Sequence, residues 1–394
     1  MEEFMASRMF RLKGEFAFVI LQKAKMLERE GYDVIHFEIG EPDFDTPEHI
    51  KEAAAKALKE GYTHYTPSPG ILELREAISE YLEEEFKVEY SPDEIIATPG
   101  GKAAIFYALT TVVEEGDEVI IPDPAFPAYE SVIRFLNAKP VFVRLKEEND
   151  FRMIPEDVEA KVTDKTKAVV INSPHNPCGS VLTRSDVEGL AEIALRHNLV
   201  LITDDVYHKI IYDGFEHESV VSIPEVRDRV LLLNSLSKTY AMTGWRIGYI
   251  AADRRFIERM VVLQNNLVSC LPAFVQKATV AALRGPQDFV KKMVDEYRRR
   301  RDVIVDGLNR IRGFKCKKPL GAFYVFPNIK GVGMDERELV EYLLREAKVA
   351  TLHGSAFGPG GEGYLRFSYA TSIDLIKAGL ERIKVAIEKL QEAG

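Results

Sequence analysis

The sequence predicts an α/β protein. A large domain carries a mostly parallel central sheet flanked by helices, and a smaller α+β domain accompanies it. The first observation behind this is a set of seven strand-like runs at 94–98, 118–122, 141–145, 168–172, 199–203, 229–233 and 247–251. Several are apolar without alternation, as strands covered on both faces are. The second is that helix-like segments fall between most of them, at 102–114, 127–137 and 185–197. Such alternation marks parallel strands, whose crossovers require helices. The third is size: 394 residues, 46% of them hydrophobic, suffice for one large core and a smaller one.

The flanking elements read differently. Residues 17–31 form an amphipathic helix stopped by Gly31. Residues 273–312 are helix-rich with a break at RGPQ (284–287), followed by the extended stretch KPLGAFYVFP and a helix near 336–347. The strand GYLRFSYA (363–370) precedes a final helix at 373–391. We assign 46–289 to the large domain and 290–394 to the small one. The arm 1–45 is expected to pack with the small domain.

Composition removes several function classes. The net charge is −10, and RRRR (298–301) lies in a helix-like, Glu-containing segment that reads as a solvated helix face. No nucleic acid is therefore expected as a partner. Cys178, Cys270 and Cys316 are far apart, with no CxxC or Cys/His ligand spacing, so neither a disulfide framework nor a metal site is expected. The longest apolar run near the start, FAFVIL (16–21), is too short to span a membrane and is followed by charges. A cytoplasmic protein without membrane association is the expectation.

Polar residues and glycines gather where the central strands end, which is where open α/β sheets place ligands. EIIATPGGKAAIF (94–106) reads as strand, glycine pair, helix. Backbone N–H groups at such a helix start can seat an anion, although an ordinary strand–helix turn fits equally well. VVINSPHNPCG (169–179) ends a strand in Asn and Pro and is, alone, a turn. LVLITDDVYHKIIYDG (199–214) puts Asp204 and Asp205 after a very apolar strand, as a helix cap or as a partner for a cation. LLLNSLSKTYAMTGWRIGYIAA (231–252) brings Ser235, Ser237, Lys238 and Arg246 to the end of another. A lysine there can lose its charge through burial and act as a nucleophile. An arginine beside hydroxyls and glycines suits a phosphate. An imine-forming lysine, a carboxylate for a protonated ring nitrogen, and a phosphate seat of Gly100, Gly101, Ser235, Ser237 and Arg246 together describe pyridoxal phosphate.

With these residues in view, the chain resembles the class I/II aminotransferases of the pyridoxal-phosphate fold type I, the aspartate aminotransferase family. The resemblance runs from FEIGEPDFDTPEHI (37–50) to YLRFSYATS (364–372), through YTPSPGILELREAI, SPHNPCG, TDDVY and SLSKTYAMTGWRIGY. It implies a homodimer that exchanges an amino group between an L-α-amino acid and a 2-oxo acid. Lys238 matches the lysine that carries the cofactor, and Asp204 the partner of its ring nitrogen. Tyr207 and Asn176 match the pair that bonds its phenolic oxygen, and Phe126 the aromatic ring stacked on it. Gly101, Lys102, Ser235, Ser237 and Arg246 match the phosphate site, and Tyr65 a tyrosine reaching the phosphate of the neighbouring subunit. Arg366, Gly40 and Asn176 match groups that hold the substrate's α-carboxylate. Cys178 departs from the family's usual Thr, and VSCLPAFVQ (268–276) is less polar than usual.

Lys102 also resembles a lysine that some members use to meet a substrate's distal carboxylate; otherwise it is a solvent-facing first-turn residue. Phe16, Ala17 and Phe18 in the arm favour apolar side chains. The expected substrates are 2-oxoglutarate as acceptor and an aromatic or aliphatic donor, with a weaker role for aspartate. Three rivals remain. Ser235-Leu-Ser-Lys238 fits the acyl-serine pattern S-x-x-K, but the S-D-N and K-T-G elements that accompany it are missing. A ligand-sensing module would need a DNA-binding segment for which the chain has no room. A lyase of the same fold would release ammonia and pyruvate.

Overall fold

The computed structural model of the chain describes residues 4–393; positions 1–3 of the expected arm and 394 of the expected small domain lie outside them. After the short strand β1 (Ile35–His36) come seven strands that form one sheet: β2 (Ile95–Thr98), β3 (Glu118–Asp123), β4 (Lys139–Arg144), β5 (Thr166–Asn172), β6 (Val200–Asp204), β7 (Val230–Ser235) and β8 (Gly248–Ala252). Their order is β2-β8-β7-β6-β5-β3-β4. All seven strand-like runs of the sequence are in it. Only β8 runs against its neighbours β2 and β7.

The unbroken apolar runs follow from two cores, one on each face. Along β3, Ile120 enters one core while Val119 and Ile121 enter the other; along β5, Val169 and Ile171 alternate with Ala168 and Val170 in the same way. Successive side chains point to opposite faces, so burial of both faces leaves no polar position. The helices Gly101–Val112, Pro127–Phe135 and Arg184–His197 supply much of that cover. The last begins in a capping box, with Asp186 Oδ2 accepting from Thr183 N at 2.8 Å.

This topology positions the chemistry. Parallel β5, β6 and β7 bring their C-terminal ends to one edge, so Asn172 stands opposite Asp204, and Asp204 opposite Leu233. The chain leaves β7 at Ser235 and re-enters β8 at Gly248, its register partner. Lys238 and Arg246 lie on that connection and therefore return to the same edge.

The remaining strands are β9 (Tyr324–Val325), β10 (Val349–Ala350), β11 (Leu352–His353) and β12 (Leu365–Ser368). β1 pairs in parallel with β10, and β11-β12-β9 form an antiparallel sheet. Arm residues thus share a sheet with residues near 350. One expectation is corrected. In RRRR, Arg300 and Arg301 are buried, Arg301 completely. Arg300 Nη1 donates to Asp43 at 2.7 Å, and Arg301 Nη2 to Asp213 at 2.9 Å. Half of that run staples the helix Asp288–Asn309 to distant segments instead of facing water. Among the described residues, no helix is long and apolar enough to cross a membrane, and no cluster of metal-ligating side chains occurs.

Candidate active site

A cavity of about 480 Å³ opens at the C-terminal edge of the sheet. Its lining includes Gly40, Gly101, Lys102, Phe126 and Asn176, together with Asp204, Tyr207, Ser235, Ser237, Lys238, Arg246 and Arg366. Of the sequence-selected site residues, the lining lacks Gly100, which stands just before the helix Gly101–Val112, and Tyr65, which is 90% exposed.

At the floor, Asp204 ends β6 and is buried. The Tyr129 hydroxyl donates to its Oδ2 at 2.6 Å, and Asn172 Nδ2 donates to its main-chain oxygen at 2.8 Å. Burial raises the carboxyl pKa to about 6, against the lowering effect of the Tyr129 bond. Such a carboxylate gains most from a cation placed against it. Lys238 leaves part of its surface to the cavity, yet the surrounding protein desolvates the amine and lowers its pKa to about 8. Its Nζ donates to Gly40 O at 2.5 Å. Near neutrality a real share of this amine is uncharged, whereas an ordinary lysine is almost wholly charged.

Beside them is a seat for an anion. Gly100 precedes the helix Gly101–Val112 at φ 86, a conformation that favours glycine. A Cβ there would collide with the Arg246 guanidinium. Arg246 itself sits at φ 55, with Nη1 held by Thr243 O at 2.9 Å. The Ser235 hydroxyl lies 2.9 Å from both Ser237 Oγ and Ile247 O. Helix N–H groups, two hydroxyls and a guanidinium against a side-chain-free corner fit a phosphate group. With the buried Asp204 and the desolvated Lys238, the residues present fit pyridoxal phosphate.

The opposite end suits a carboxylate. Arg366, on β12, is buried; its Nη2 donates to Glu38 O, and its Nη1 lies 3.5 Å from Asn176 Oδ1. Its Nε has no partner among the described residues. Tyr324 stacks under the guanidinium at 4.6 Å, and its hydroxyl is 2.7 Å from that of Tyr207. Gly40 approaches so closely that a Cβ would strike the Tyr324 hydroxyl. Cys178 is buried in the adjoining turn, where desolvation pushes its thiol pKa well up.

The sequence reading missed Tyr129, Asn172, Tyr324 and Glu15. Tyr129 lies in the first turn of the helix Pro127–Phe135, which Phe126 precedes as the extended residue before it. Lys102 is half-exposed, but it does not simply face solvent: it pairs with Glu15 of the arm, its Nζ 5.6 Å from the Phe18 ring and 5.8 Å from the Phe126 ring.

The family described as aminotransferase class I and II matches residues 32–383. The aspartate aminotransferase of Pyrococcus abyssi is 45% identical over 361 residues, which cover 91% of this chain and 92% of that one. The aromatic-amino-acid aminotransferase 2 of Thermococcus litoralis is 42% identical over 359 residues, covering 90% and 92%. The solved structure of the aspartate aminotransferase from Rhizobium meliloti superposes with a TM-score of 0.94 at 40% identity, over 98% of each chain. A match of this extent, on a fold whose edge gathers a phosphate seat, a desolvated lysine and a buried carboxylate, means that the chain belongs to the class I and II aminotransferases and is a pyridoxal-phosphate-dependent enzyme of that family.

Proposed function

We propose that the enzyme moves the amino group of an aromatic or aliphatic L-amino acid to 2-oxoglutarate, with aspartate as a weaker donor. The observation that carries this is the wall around Lys102. Phe18 and Phe126 flank its ammonium, and Glu15 already neutralises it. Burying an apolar side chain against those rings contributes about 1.5–3 kcal/mol. A charge-assisted bond from Lys102 to a distal carboxylate contributes a similar ~1.5–3 kcal/mol, but Glu15 must first be displaced. Neutral donors avoid that displacement, and 2-oxoglutarate can still exploit it.

The site roles follow the same reading. Pyridoxal phosphate, when bound, supplies an aldehyde that captures amines and a cationic ring that draws electrons from Cα. Gly101, Ser235, Ser237 and Arg246 hold its phosphate, Lys102 borders that seat, and Phe126 covers the ring. Asp204 holds the ring's positive charge, and Tyr207 with Asn176 bonds its phenolic oxygen. Lys238 Nζ, uncharged, takes the proton from the substrate's Cα. Arg366 grips the α-carboxylate with Asn176 and the Gly40 backbone, which fixes the Cα bonds relative to the ring.

The proposed working form is a cytoplasmic homodimer in which Tyr65 reaches the partner's phosphate. Its division into a large domain (46–289), an arm (1–45) and a small domain (290–394) stands as part of this reading. Screening phenylalanine, tyrosine, leucine and aspartate against 2-oxoglutarate, with glutamate as the readout, tests the substrate choice. Turnover of aspartate alone would overturn it, and release of ammonia and pyruvate would indicate a lyase.

A further inference from the structure

Glu38 is wholly buried two residues before Gly40. Its main-chain oxygen accepts from Arg366 Nη2. Its Oε1 lies 2.7 Å from His36 Nδ1, while its Oε2 has no partner among the described residues. The other nitrogen of His36 faces a second carboxylate, Glu28 Oε1, at 3.0 Å. A neutral imidazole donates from one nitrogen only and would turn a lone pair toward one of these acids. Two carboxylates on opposite sides select the imidazolium, which donates from both. The Glu38 bond is the largest cause lifting the His36 pKa above its ordinary 6.5, with Glu28 adding to it.

We infer that Glu38 and His36 are a positioning pair for Arg366: the imidazolium cancels the Glu38 charge that otherwise competes with a substrate carboxylate for the guanidinium. This rests on Arg366 being the carboxylate clamp proposed above. Lys238, whose amine pKa is lowered to about 8, also acts on Arg366, so variants of His36 and Glu38, and not the wild-type pH slope alone, separate the two groups. From the helix Phe16–Arg29, Glu28 faces His36 and is itself paired with Lys25 at 2.7 Å. Lys348, just before β10, lays its ammonium over the Tyr32 ring at 4.2 Å. Arg382 of the C-terminal helix is engaged with Asp33. On the far side, Arg366 is faced by Tyr324, Tyr207, Glu38 and Glu15.

When His36 loses its proton, the cation that offset Glu38 is gone, although the imidazole can still donate to it from Nδ1, and the Glu38 carboxylate acts through space on Arg366 without that counter-charge. Arg366 then offers less to a ligand. Carboxylate affinity falls as pH rises through the His36 titration, by roughly three- to tenfold for one uncompensated charge at this depth. KM follows affinity, whereas kcat changes less. By reciprocity, a carboxylate bound at Arg366 raises the His36 pKa.

The test uses 3-phenylpropionate, a carboxylate without an amine, as inhibitor of the holoenzyme between pH 6 and 9. The wild type weakens as pH rises. Glu38→Gln stays tight and His36→Gln stays weak, and both lose the difference between the pH ends that the wild type shows. Parallel pH curves for all three proteins would overturn the inference. Should Glu38→Gln fail to fold, NMR titration of His36 in the wild type decides. A pKa raised by saturating 3-phenylpropionate supports the pair, and an unmoved one refutes it. Binding that survives Arg366→Ala would remove the clamp reading and this inference together. Binding lost in Arg366→Ala but blind to His36 removes the inference alone.

Discussion

The Tyr129 hydroxyl donates to Asp204 Oδ2 at 2.6 Å, from a helix that begins one residue after Phe126. The bond opposes the burial that raises the Asp204 pKa from 3.8 to about 6. A carboxyl whose folded pKa exceeds its unfolded value contributes stability below the unfolded pKa and loses it as pH rises through the folded one. The apoprotein therefore loses stability on the order of 3 kcal/mol between about pH 4 and pH 6 on this account. A cationic ring against Asp204 reverses the loss. We expect Asp204→Asn to melt higher than wild type as apoprotein at pH 7.5, while its cofactor affinity falls at least about tenfold. Calorimetry of apo and loaded forms checks both. An apoprotein that melts lower at pH 7.5 would show that the Asp204 charge is not a burden.

Lys238 gives the second prediction. Only the uncharged amine attacks an aldehyde, and its pKa is lowered to about 8 by desolvation. The rate at which apoprotein takes up pyridoxal phosphate should rise with pH and level off just above 8, well below the range of a surface lysine. Borohydride reduction and peptide mapping should find the pyridoxyl mass on Lys238, and a different lysine would refute the assignment. Lys238→Ala should still bind cofactor through the phosphate seat while losing most turnover.

The ease of locating Lys238 contrasts with what the sequence hid. The seven strands were legible because both faces of the sheet are covered, which makes each strand an unbroken apolar run. The residues at their ends were legible as polar interruptions of those runs. Tyr324 lies inside KPLGAFYVFP and has the look of core; its hydroxyl matters only because Tyr207 is folded against it. Glu15 sits in a polar arm where nothing marks it as a partner for Lys102. RRRR was misread because Asp43 and Asp213 lie 257 and 88 positions from the arginines they pair with. Local patterning carries no information at that range.

The third prediction separates the two halves of the Lys102 wall. Lys102→Ala should raise KM for 2-oxoglutarate by about three- to tenfold, a modest effect because the ammonium is half in water. KM for phenylalanine or tyrosine should barely change. Glu15→Gln should act oppositely and lower KM for 2-oxoglutarate, since Lys102 is then free for the ligand. Equal losses for both kinds of substrate in Lys102→Ala would mean that this lysine serves the phosphate or the fold.

The last prediction concerns Tyr65. Its side chain is 90% exposed, yet its loop is not loose. Ser68 Oγ lies 2.8 Å from Asn265 Oδ1, and Gln276 Nε2 donates to Thr66 Oγ1 at 2.9 Å. The exposed Leu267 and Val268 follow Asn265 on the chain. An exposed large aromatic, on a loop bonded to a segment that carries exposed apolar side chains of its own, is the kind of surface a second subunit covers. If Tyr65 reaches the partner's phosphate, a site needs Lys238 from one chain and Tyr65 from the other. Tyr65→Phe dimers then have two weakened sites, and Lys238→Ala dimers have two dead ones. A hybrid of the two variants has one site with both lesions and one with neither, so mixing and re-equilibrating them should restore activity. Hybrids that show no such gain would place Tyr65 and Lys238 in the same site of one chain. Sedimentation as a monomer would refute the arrangement outright.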